Sequence, residues 1–262
     1  VIKFIELVMS KQIDLIVNWM RVGFIHGVMN TDNSTICGET IDYGPCAFMD
    51  QYDHKAVFSS IDFQGRYAYG NQPATIHWNL IRLAESLLPL IDKDESKSVK
   101  IAQKTIDSFS EIFNKKWQKM MRSKLGLTDH SEEDEVLIKD LLTWMQSKKP
   151  DFTNTFSNLM GINHANDEEF EDNDFVEWKK NWKERVNNND YLSIMKETNP
   201  ILIPRNNLVE EALYEAETIG KFDKFNELNK VIVSPYNIEK VPKKYLNTPI
   251  RSNLPYKTFC GT

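Results

Sequence analysis

The chain has 262 residues, of which 41% are hydrophobic, and its formal net charge is −6 at pH 7. This length and apolar content suit one large domain or two small ones with a real core. Because no apolar run approaches about 18 residues, we expect no membrane span and no membrane partner. Because no basic stripe stands out, we expect no nucleic acid partner.

Three cysteines are present, Cys37, Cys46 and Cys260. They are too few and too irregularly spaced for a disulfide scaffold or a zinc site. A reducing compartment is therefore the default interpretation, and a single disulfide between two of them is an open alternative.

Helical periodicity begins at the first residue and ends near Val22-Gly23, with apolar side chains recurring on one face. The run from Val1 to Val8 already has the pattern of a helix interior, so we expect that a preceding N-terminal region is missing from this chain. Residues 26–33 are too polar and too short for a helix.

Two short β-prone runs follow, 34–36 and 39–41, on either side of Cys37-Gly38. A glycine-containing pair between such runs is typical of a β-hairpin, which is predicted here. Residues 46–73 lack steady periodicity and are predicted to form a long loop. Long loops inside a domain are usually functional or disordered, and the many aromatic residues of this one favour order.

Helical patterns dominate the remainder, so the sequence predicts a mainly α fold. The predicted features are a helix over 74–88 closed by Pro89, a helix over 97–124, a helix opened by a capping box at Ser131, a shorter helix capped by Asp151, a helix with Trp178 and Trp182 on one face that ends at 187–190, and a helix over 208–219 capped by Asn207 and ended by Gly220. The acidic stretch 165–174 is predicted to be a solvated loop, and the chain from Ser234 onward to be irregular.

The clearest chemistry lies between His26 and Gly44. Kinase-like enzymes place near the transferred group a carboxylate beside the attacking hydroxyl, an Asn that binds Mg2+, and a second carboxylate that bridges metal and phosphates. Asn33 and Asp42 occur in this order and carry the oxygen atoms that Mg2+ prefers. We therefore expect Mg2+, with Mn2+ as the alternative, and ATP as co-substrate.

The position of the ordinary base is occupied by Val28. In kinases an Asp lies five residues before the metal-binding Asn, and valine cannot accept a proton. Asp32 is the nearby carboxylate that can substitute. From spacing alone, two other interpretations stay open: an inactive pseudokinase, and a loop in which Asp32, Asn33 and Asp42 are ordinary capping residues.

Two further features bear on the same region. His26 is expected to order the catalytic loop by hydrogen bonding, since the five histidines lack metal-ligand spacing. Arg66 and residues 67–71 have two open interpretations, one as part of a groove for a protein substrate and the other as structural.

Several runs together resemble the selenoprotein O family, also called the YdiU family. The runs are 23–33, 38–45, 65–73 with Trp78-Asn79-Leu80, 199–213 with Ile203-Pro204-Arg205-Asn206, and 258–262. The resemblance covers nearly the whole chain.

The resemblance implies the C-lobe of a protein-kinase-like fold, with a short β-hairpin at the catalytic segment and a helical C-terminal extension. Residues 1–95 would form the kinase-like core with the catalytic loop and activation segment. Residues 96–200 would form a helical continuation, and residues 201–262 the C-terminal helices and irregular tail.

The implied activity is that of a protein adenylyltransferase, which moves AMP from ATP to Ser, Thr or Tyr hydroxyls of proteins and releases pyrophosphate. Asp32 would accept the proton, Asn33 and Asp42 would bind the metal, and Asp42 would also contact the nucleotide. ATP and hydroxyl-bearing proteins are the expected partners, and a monomer is the expected state.

The family's nucleotide-cradling residues lie in a preceding lobe, which we expect to be missing. The chain is therefore predicted to be an inactive C-terminal portion, with a non-catalytic pseudokinase-type module and an ordinary phosphotransferase as alternatives. The resemblance also implies a redox-sensitive disulfide from Cys260 to the activation segment, with Cys46 the better-placed partner and Cys37 the other. A cytoplasmic location is favoured if the source is bacterial, and a mitochondrial one if it is eukaryotic.

Overall fold

The computed structural model describes residues 1–162, 167–186, 190–247 and 256–259. Helices make up most of these residues and enclose a buried apolar cluster with members from Ile5 to Leu246, so the predicted mainly α fold is confirmed. In chain order the elements are α1 (Ile2–Val22), β1 (Phe24–Ile25), β2 (Ala47–Phe48), α2 (Gln72–Ser86), α3 (Leu88–Ile91), α4 (Glu95–Asp107), α5 (Phe109–Lys124), α6 (Glu133–Lys148), α7 (Phe152–Leu159), α8 (Asn173–Arg185), α9 (Tyr191–Thr198), α10 (Asn206–Tyr214) and α11 (Asp223–Ile232).

Helix α1 begins and ends as the sequence predicts. Its apolar residues recur on one face and are buried against α2 and α5. Gly23 ends the helix with φ 74°, and its amide donates to the carbonyl of Trp19. A side chain here would need a strained backbone and would stand 3.0 Å from the ring of Phe152, so glycine both stops α1 and lets it pack closely.

Strands β1 and β2 form a two-stranded antiparallel sheet. Phe24 pairs with Phe48 and Ile25 with Ala47. Because β1 immediately precedes residue 26 and β2 follows residue 46, the pairing brings together the two ends of the segment that carries the candidate chemistry.

The hairpin predicted at 34–36 and 39–41 is wrong. A turn occupies these positions, with the Gly38 amide donating to the carbonyl of Thr35. The Thr35 hydroxyl donates to the Glu39 carbonyl at 2.8 Å and accepts from the Glu39 amide at 3.0 Å. A threonine side chain thus takes the bonds that a strand ladder would have used.

The helix predicted over 97–124 is divided. Helix α4 ends at Asp107 and α5 begins at Phe109. The Ser108 hydroxyl donates to the carbonyl of Thr105 at 2.7 Å, and such back-bonding competes with the regular helix. The break lets Phe109 become buried.

The predicted helix starts and stops are partly confirmed. The Asp151 carboxylate caps α7, accepting from the Asn154 amide. Ser131 lies just before α6, and its amide donates to the Asp134 carboxylate at 3.0 Å. The Asn207 cap is wrong, because α10 already begins at Asn206. Gly220 ends the π-helical turn that extends α10.

The acidic stretch is more ordered than predicted where it is described. Residues 167–171 form a 3-10 turn, and Phe170 is buried against Trp144. Trp178 and Trp182 are both buried on one face of α8, with ring centroids 6.4 Å apart, as predicted. Helix α8 ends at Arg185, just before the break predicted at 187–190, of which residues 187–189 lie outside the described residues.

No helix in the described part of the chain is long and apolar enough to cross a membrane. Residues from all three predicted segments, 1–95, 96–200 and 201–262, contribute to the same buried cluster. The division itself stays a prediction.

Candidate functional site

The loop between β1 and β2 carries every residue predicted to take part in catalysis or metal binding. We call residues 26–45 the candidate loop. It contains a 3-10 turn, Thr31–Asn33, and is otherwise irregular. Its shape is therefore set by side-chain bonds within the loop and by contacts with the rest of the molecule.

A buried glutamine holds the start of the candidate loop. The Gln72 side chain at the first turn of α2 is 0% exposed. Its carbonyl oxygen accepts from the His26 amide at 3.1 Å, and its nitrogen donates to the Phe24 carbonyl at 3.1 Å. Gln72 fixes the backbone at the end of β1.

His26 ties the start of the candidate loop to its far end. The ring is fully buried, and its Nε2 lies 2.7 Å from the carbonyl oxygen of Ile41. The Val28 amide points at Nδ1 at 3.4 Å. Burial lowers the pKa of His26, while the Ile41 contact and the charge of Asp42 oppose the shift. A neutral ring with Nε2–H donating fits both contacts, so His26 orders the loop as expected.

The two ends approach so closely that only glycine fits at position 27. Gly27 has φ 85°, and an added Cβ would lie 2.7 Å from the carbonyl oxygen of Pro45. This contact sits directly beside the β1–β2 pairing. It shows that the backbone at the start of the loop lies directly against the backbone at its end.

Asp32 and Asn33 lie in the 3-10 turn. Asp32 is exposed and Asn33 half-buried. The side-chain nitrogen Nδ2 of Asn33 donates to the carbonyl of Val28 at 3.0 Å. The side-chain oxygen of Asn33 is left available as a ligand. No described residue forms an ion pair with Asp32.

The turn at residues 36–37 divides the loop into two arms, and Asp42 lies on the second arm, opposite the one that carries Asp32 and Asn33. Asp42 is exposed. Its φ of 55° puts a non-glycine residue in the left-handed region, which Asp tolerates better than most residues. Such conformations cluster at functional sites. Its charge acts on His26, so the carboxylate lies near the residues that also hold Asn33.

The donor set suits a hard divalent cation that is only partly held by protein. Within the described residues, no group of at least three His, Cys, Asp or Glu side chains could hold a metal. Asn33 and Asp42 offer one amide and one carboxylate. Mg2+ commonly takes one or two carboxylates and completes its shell with water and substrate phosphates, so the residues fit a nucleotide-bound metal.

Two residues, Asn79 and Tyr67, hold the other side of the loop through contacts that the sequence did not predict. The Asn79 side chain of α2, 5% exposed, donates to the Met29 carbonyl at 3.1 Å and to the Ser34 hydroxyl at 2.8 Å. The Tyr67 hydroxyl donates to the Asn30 side chain at 2.6 Å. Gln72 and Asn79 are polar residues within an apolar helical pattern, and that is the signal by which the sequence could have revealed them.

A buried charge cluster anchors the chain just after β2. The Arg205 guanidinium, 1% exposed, pairs with the Asp50 carboxylate at 2.7 Å and with the buried Asp151 carboxylate. It also donates to the Asn154 side chain at 3.1 Å. Burial raises the pKa of Asp50, and Arg205 opposes that shift.

The described tail residues lie against the same region. The Thr258 hydroxyl donates to the Pro45 carbonyl at 2.6 Å, and its backbone bonds to Phe58 and Ser60. Cys46 is half-buried, and burial raises the pKa of its thiol. Cys260 lies outside the described residues, so its disulfide stays a prediction.

Comparison with known proteins identifies the family. A family profile described as "Protein adenylyltransferase SelO" matches residues 1–233. The chain belongs to this family. It is 50% identical over its full length to a "Protein nucleotidyltransferase YdiU" of Clostridium perfringens strain SM101, covering 54% of that protein. Proteins with the same name match at 48% identity in Pelagibacter ubique and 49% in Bacillus cereus, over 98% and 97% of this chain and 54% and 53% of the relatives.

These matches cover only part of each relative. The chain spans about half the length of the curated relatives it matches. The relatives named here are bacterial and are named as protein nucleotidyltransferases. Membership of a nucleotidyltransferase family is therefore established.

Proposed function

We propose that the candidate loop is the nucleotide–metal half of a protein adenylyltransferase site on a kinase-like C-lobe. The observation that carries the proposal is the shared support of its two arms. Asn33 is bonded to Val28, and Ile41, next to Asp42, is bonded to His26. The predicted metal ligands therefore project from segments tied to the same short stretch.

In the proposed reaction a Ser, Thr or Tyr hydroxyl of a protein attacks the α-phosphorus of ATP. Asp32 accepts the hydroxyl proton, the new oxygen–phosphorus bond forms, and the bond to the bridging oxygen breaks so that pyrophosphate leaves with the electron pair. A bound Mg2+, or Mn2+, would neutralise charge on the phosphates. Asn33 and Asp42 would hold that ion, and Asp42 would also orient the nucleotide.

The rest of the longer relatives would supply the groups that cradle ATP, since Asp32 and Asp42 are exposed in this chain. We therefore propose that residues 1–262 alone bind ATP weakly and do not catalyse the transfer. We also propose a monomeric state and, because the named relatives are bacterial, a cytoplasmic location.

Two alternatives have observations in their favour. Val28 occupies the ordinary base position and is buried, which favours a non-catalytic binding module of the pseudokinase type. The Asn33–Asp42 order is also that of ordinary kinases, which favours transfer of the γ-phosphoryl group. Each alternative differs from AMP transfer in which labelled phosphate of ATP, if any, becomes attached to protein.

The test uses the longest natural form of the protein that contains residues 1–262, incubated with a protein substrate and ATP labelled at the α- or the γ-phosphate. Label from the α-phosphate on protein supports the proposal, and label from the γ-phosphate supports phosphoryl transfer. Absence of both supports the binding module.

Substitutions then assign the residues. Asp32→Asn should lower the rate by about 10²- to 10⁴-fold, the usual contribution of a general base. Asp42→Asn keeps a side chain that tolerates the left-handed backbone while removing the charge. Glu39→Gln, an exposed acid of the same loop, is the matched control and should keep full activity. Full labelling by Asp42→Asn would exclude the assignment.

A further inference from the structure

An exposed tryptophan beside the candidate loop is flanked by two arginines. Trp78 lies on the outer side of α2 and is 42% exposed. The Arg66 guanidinium carbon lies 4.9 Å from its ring centroid, and that of Arg82 lies 5.2 Å from the same ring. Stacking on an aromatic face holds guanidinium groups in place without using their N–H donors. We call these three residues the Arg66–Trp78–Arg82 patch.

Arg66 keeps its donors free. Asp62, the nearest acid in sequence, accepts instead from the backbone amides of Arg66 at 2.9 Å and Tyr67 at 2.8 Å. No described residue accepts a hydrogen bond from the Arg66 guanidinium or forms an ion pair with it. An exposed guanidinium with a planar set of unused donors is suited to a carboxylate.

Arg82 is more weakly committed to a partner of its own. It pairs with Glu85 at 2.7 Å, and both side chains are more than 40% exposed. Exposed pairs of this kind contribute about 0–1 kcal/mol and exchange easily. Arg82 can therefore exchange Glu85 for a carboxylate of a bound peptide.

The patch borders the residues proposed to carry out the transfer. Tyr67, next to Arg66, donates to Asn30 of the candidate loop, and Asn79, next to Trp78, donates to Met29 and Ser34. Burial is the main cause of the raised pKa of Tyr67, and the charges of Arg66 and Asp32 act on it in opposite directions. Arg66 and Asp32 thus both lie close enough to Tyr67 for their charges to act on its phenol.

We propose that the Arg66–Trp78–Arg82 patch binds carboxylate side chains of the protein substrate, so that the enzyme prefers acceptor hydroxyls with Asp or Glu close by in sequence. This inference rests on the proposed function. The chain as a whole is acidic, at −6. The two arginines beside the candidate base are therefore complementary to an acidic peptide where most of the surface is not.

The test compares two fluorescein-labelled serine peptides that differ only in flanking residues, Glu in one and Gln in the other. The longest natural form of the protein is used, and two quantities are measured: peptide affinity by fluorescence anisotropy, and kcat/KM for transfer of α-labelled AMP. We expect the Glu peptide to bind about three- to tenfold more tightly at low salt, since each exposed pair contributes modestly. The preference should shrink as salt is added.

The variants are Arg66→Gln, Arg82→Gln and the double variant, with Lys180→Gln on α8 as an exposed cation remote from the loop in sequence. The double variant should bring the Glu-to-Gln ratio close to one, whereas Lys180→Gln should leave it unchanged. Replacing both arginines by Glu should reverse the preference in favour of a Lys-flanked peptide. Thermal melting of each variant reports on folding.

The affinity measurement distinguishes this inference from the proposed function. Equal affinity of the natural protein for both peptides, or an undiminished ratio in the double variant, would overturn the inference whatever the transfer assay shows. Tight, arginine-dependent binding of the Glu peptide without any AMP transfer would support the inference and contradict the proposed activity instead.

Discussion

Two pairs of acidic residues lie on either side of strand β2 and have opposite environments. Before the strand, Asp32 and Asp42 are exposed on the candidate loop, without an ion-pair partner among the described residues. After it, Asp50 converges with the buried Asp151 on Arg205. Buried carboxylates need a partner to remain charged, whereas exposed ones can keep their charge free for a metal or a proton. The environment of each pair thus indicates which one stabilises the fold and which one is available for chemistry.

Removing Arg205, the cation shared by Asp50 and Asp151, should produce the largest change in stability. Arg205→Met leaves two carboxylates facing each other without a cation, and removal of one partner from a buried charge cluster costs about 3–5 kcal/mol. We expect this loss in the free energy of unfolding measured by urea denaturation.

The matched control is Lys224→Met, which removes the two ion pairs that this exposed lysine forms with Glu211 and Glu215. It should cost at most about 1 kcal/mol. Equal losses for the two variants would mean that the buried cluster does not anchor the chain after β2.

The next largest effect should come from the glutamine that positions the candidate loop. Gln72→Leu leaves the His26 amide and the Phe24 carbonyl without partners, and each buried unsatisfied group costs about 1–3 kcal/mol. Because the loop's own backbone is affected, AMP transfer should fall more steeply than stability. The measurement is kcat/KM alongside urea denaturation.

Gln103→Leu is the control for this substitution, since Gln103 is exposed on α4 and its side chain bonds to the nearby Asp107, one turn along the same helix. It should change neither quantity appreciably. If Gln72→Leu lost stability but kept full activity, the loop would not depend on α2 for its geometry.

A smaller effect should appear in the pH dependence of stability. Burial lowers the pKa of His26 below its usual 6.5, so the unfolded chain takes up this proton at a higher pH than the folded one. The stabilisation is complete above pH 6.5 and is lost as the pH falls through the folded pKa. Urea denaturation at a series of pH values from about 8 downward through 6.5 follows the onset of this loss.

His26→Phe should flatten this part of the profile, and His130→Phe, at an exposed position, should not. Protonation also replaces the acceptor that faces the Val28 amide with a donor, so activity should fall over the same range. A profile that is unchanged in His26→Phe would show that His26 does not titrate as its burial requires.

Helices with one apolar face were predictable from the sequence, and the sheet was not. The bounds of α1 and the shared face of Trp178 and Trp182 follow from periodicity, because burial of one face decides both. Strands β1 and β2 are only two residues long and far apart in sequence, which leaves no local pattern. The predicted hairpin at 34–41 failed because Thr35 satisfies the turn with its side chain.

For the candidate site, residue types could be predicted and their supports could not. Asp32, Asn33 and Asp42 were found by order and chemistry, and their roles stay predictions. Gln72 and Asn79 act through contacts more than 40 residues away in sequence. A polar residue within an apolar helical pattern signals such a contact without naming its partner.

The most direct test of the central claim is whether the two arms of the candidate loop hold one metal ion. Binding of Mn2+ in the presence of ATP can be followed by electron paramagnetic resonance in the longest natural form of the protein. Asn33→Ala and Asp42→Asn should each weaken Mn2+ binding by at least about tenfold, a loss known even for residues one shell removed from a metal. The double variant should be little worse than either, and Glu39→Gln should bind normally. Unchanged Mn2+ affinity in both single variants would show that Asn33 and Asp42 do not hold the metal ion.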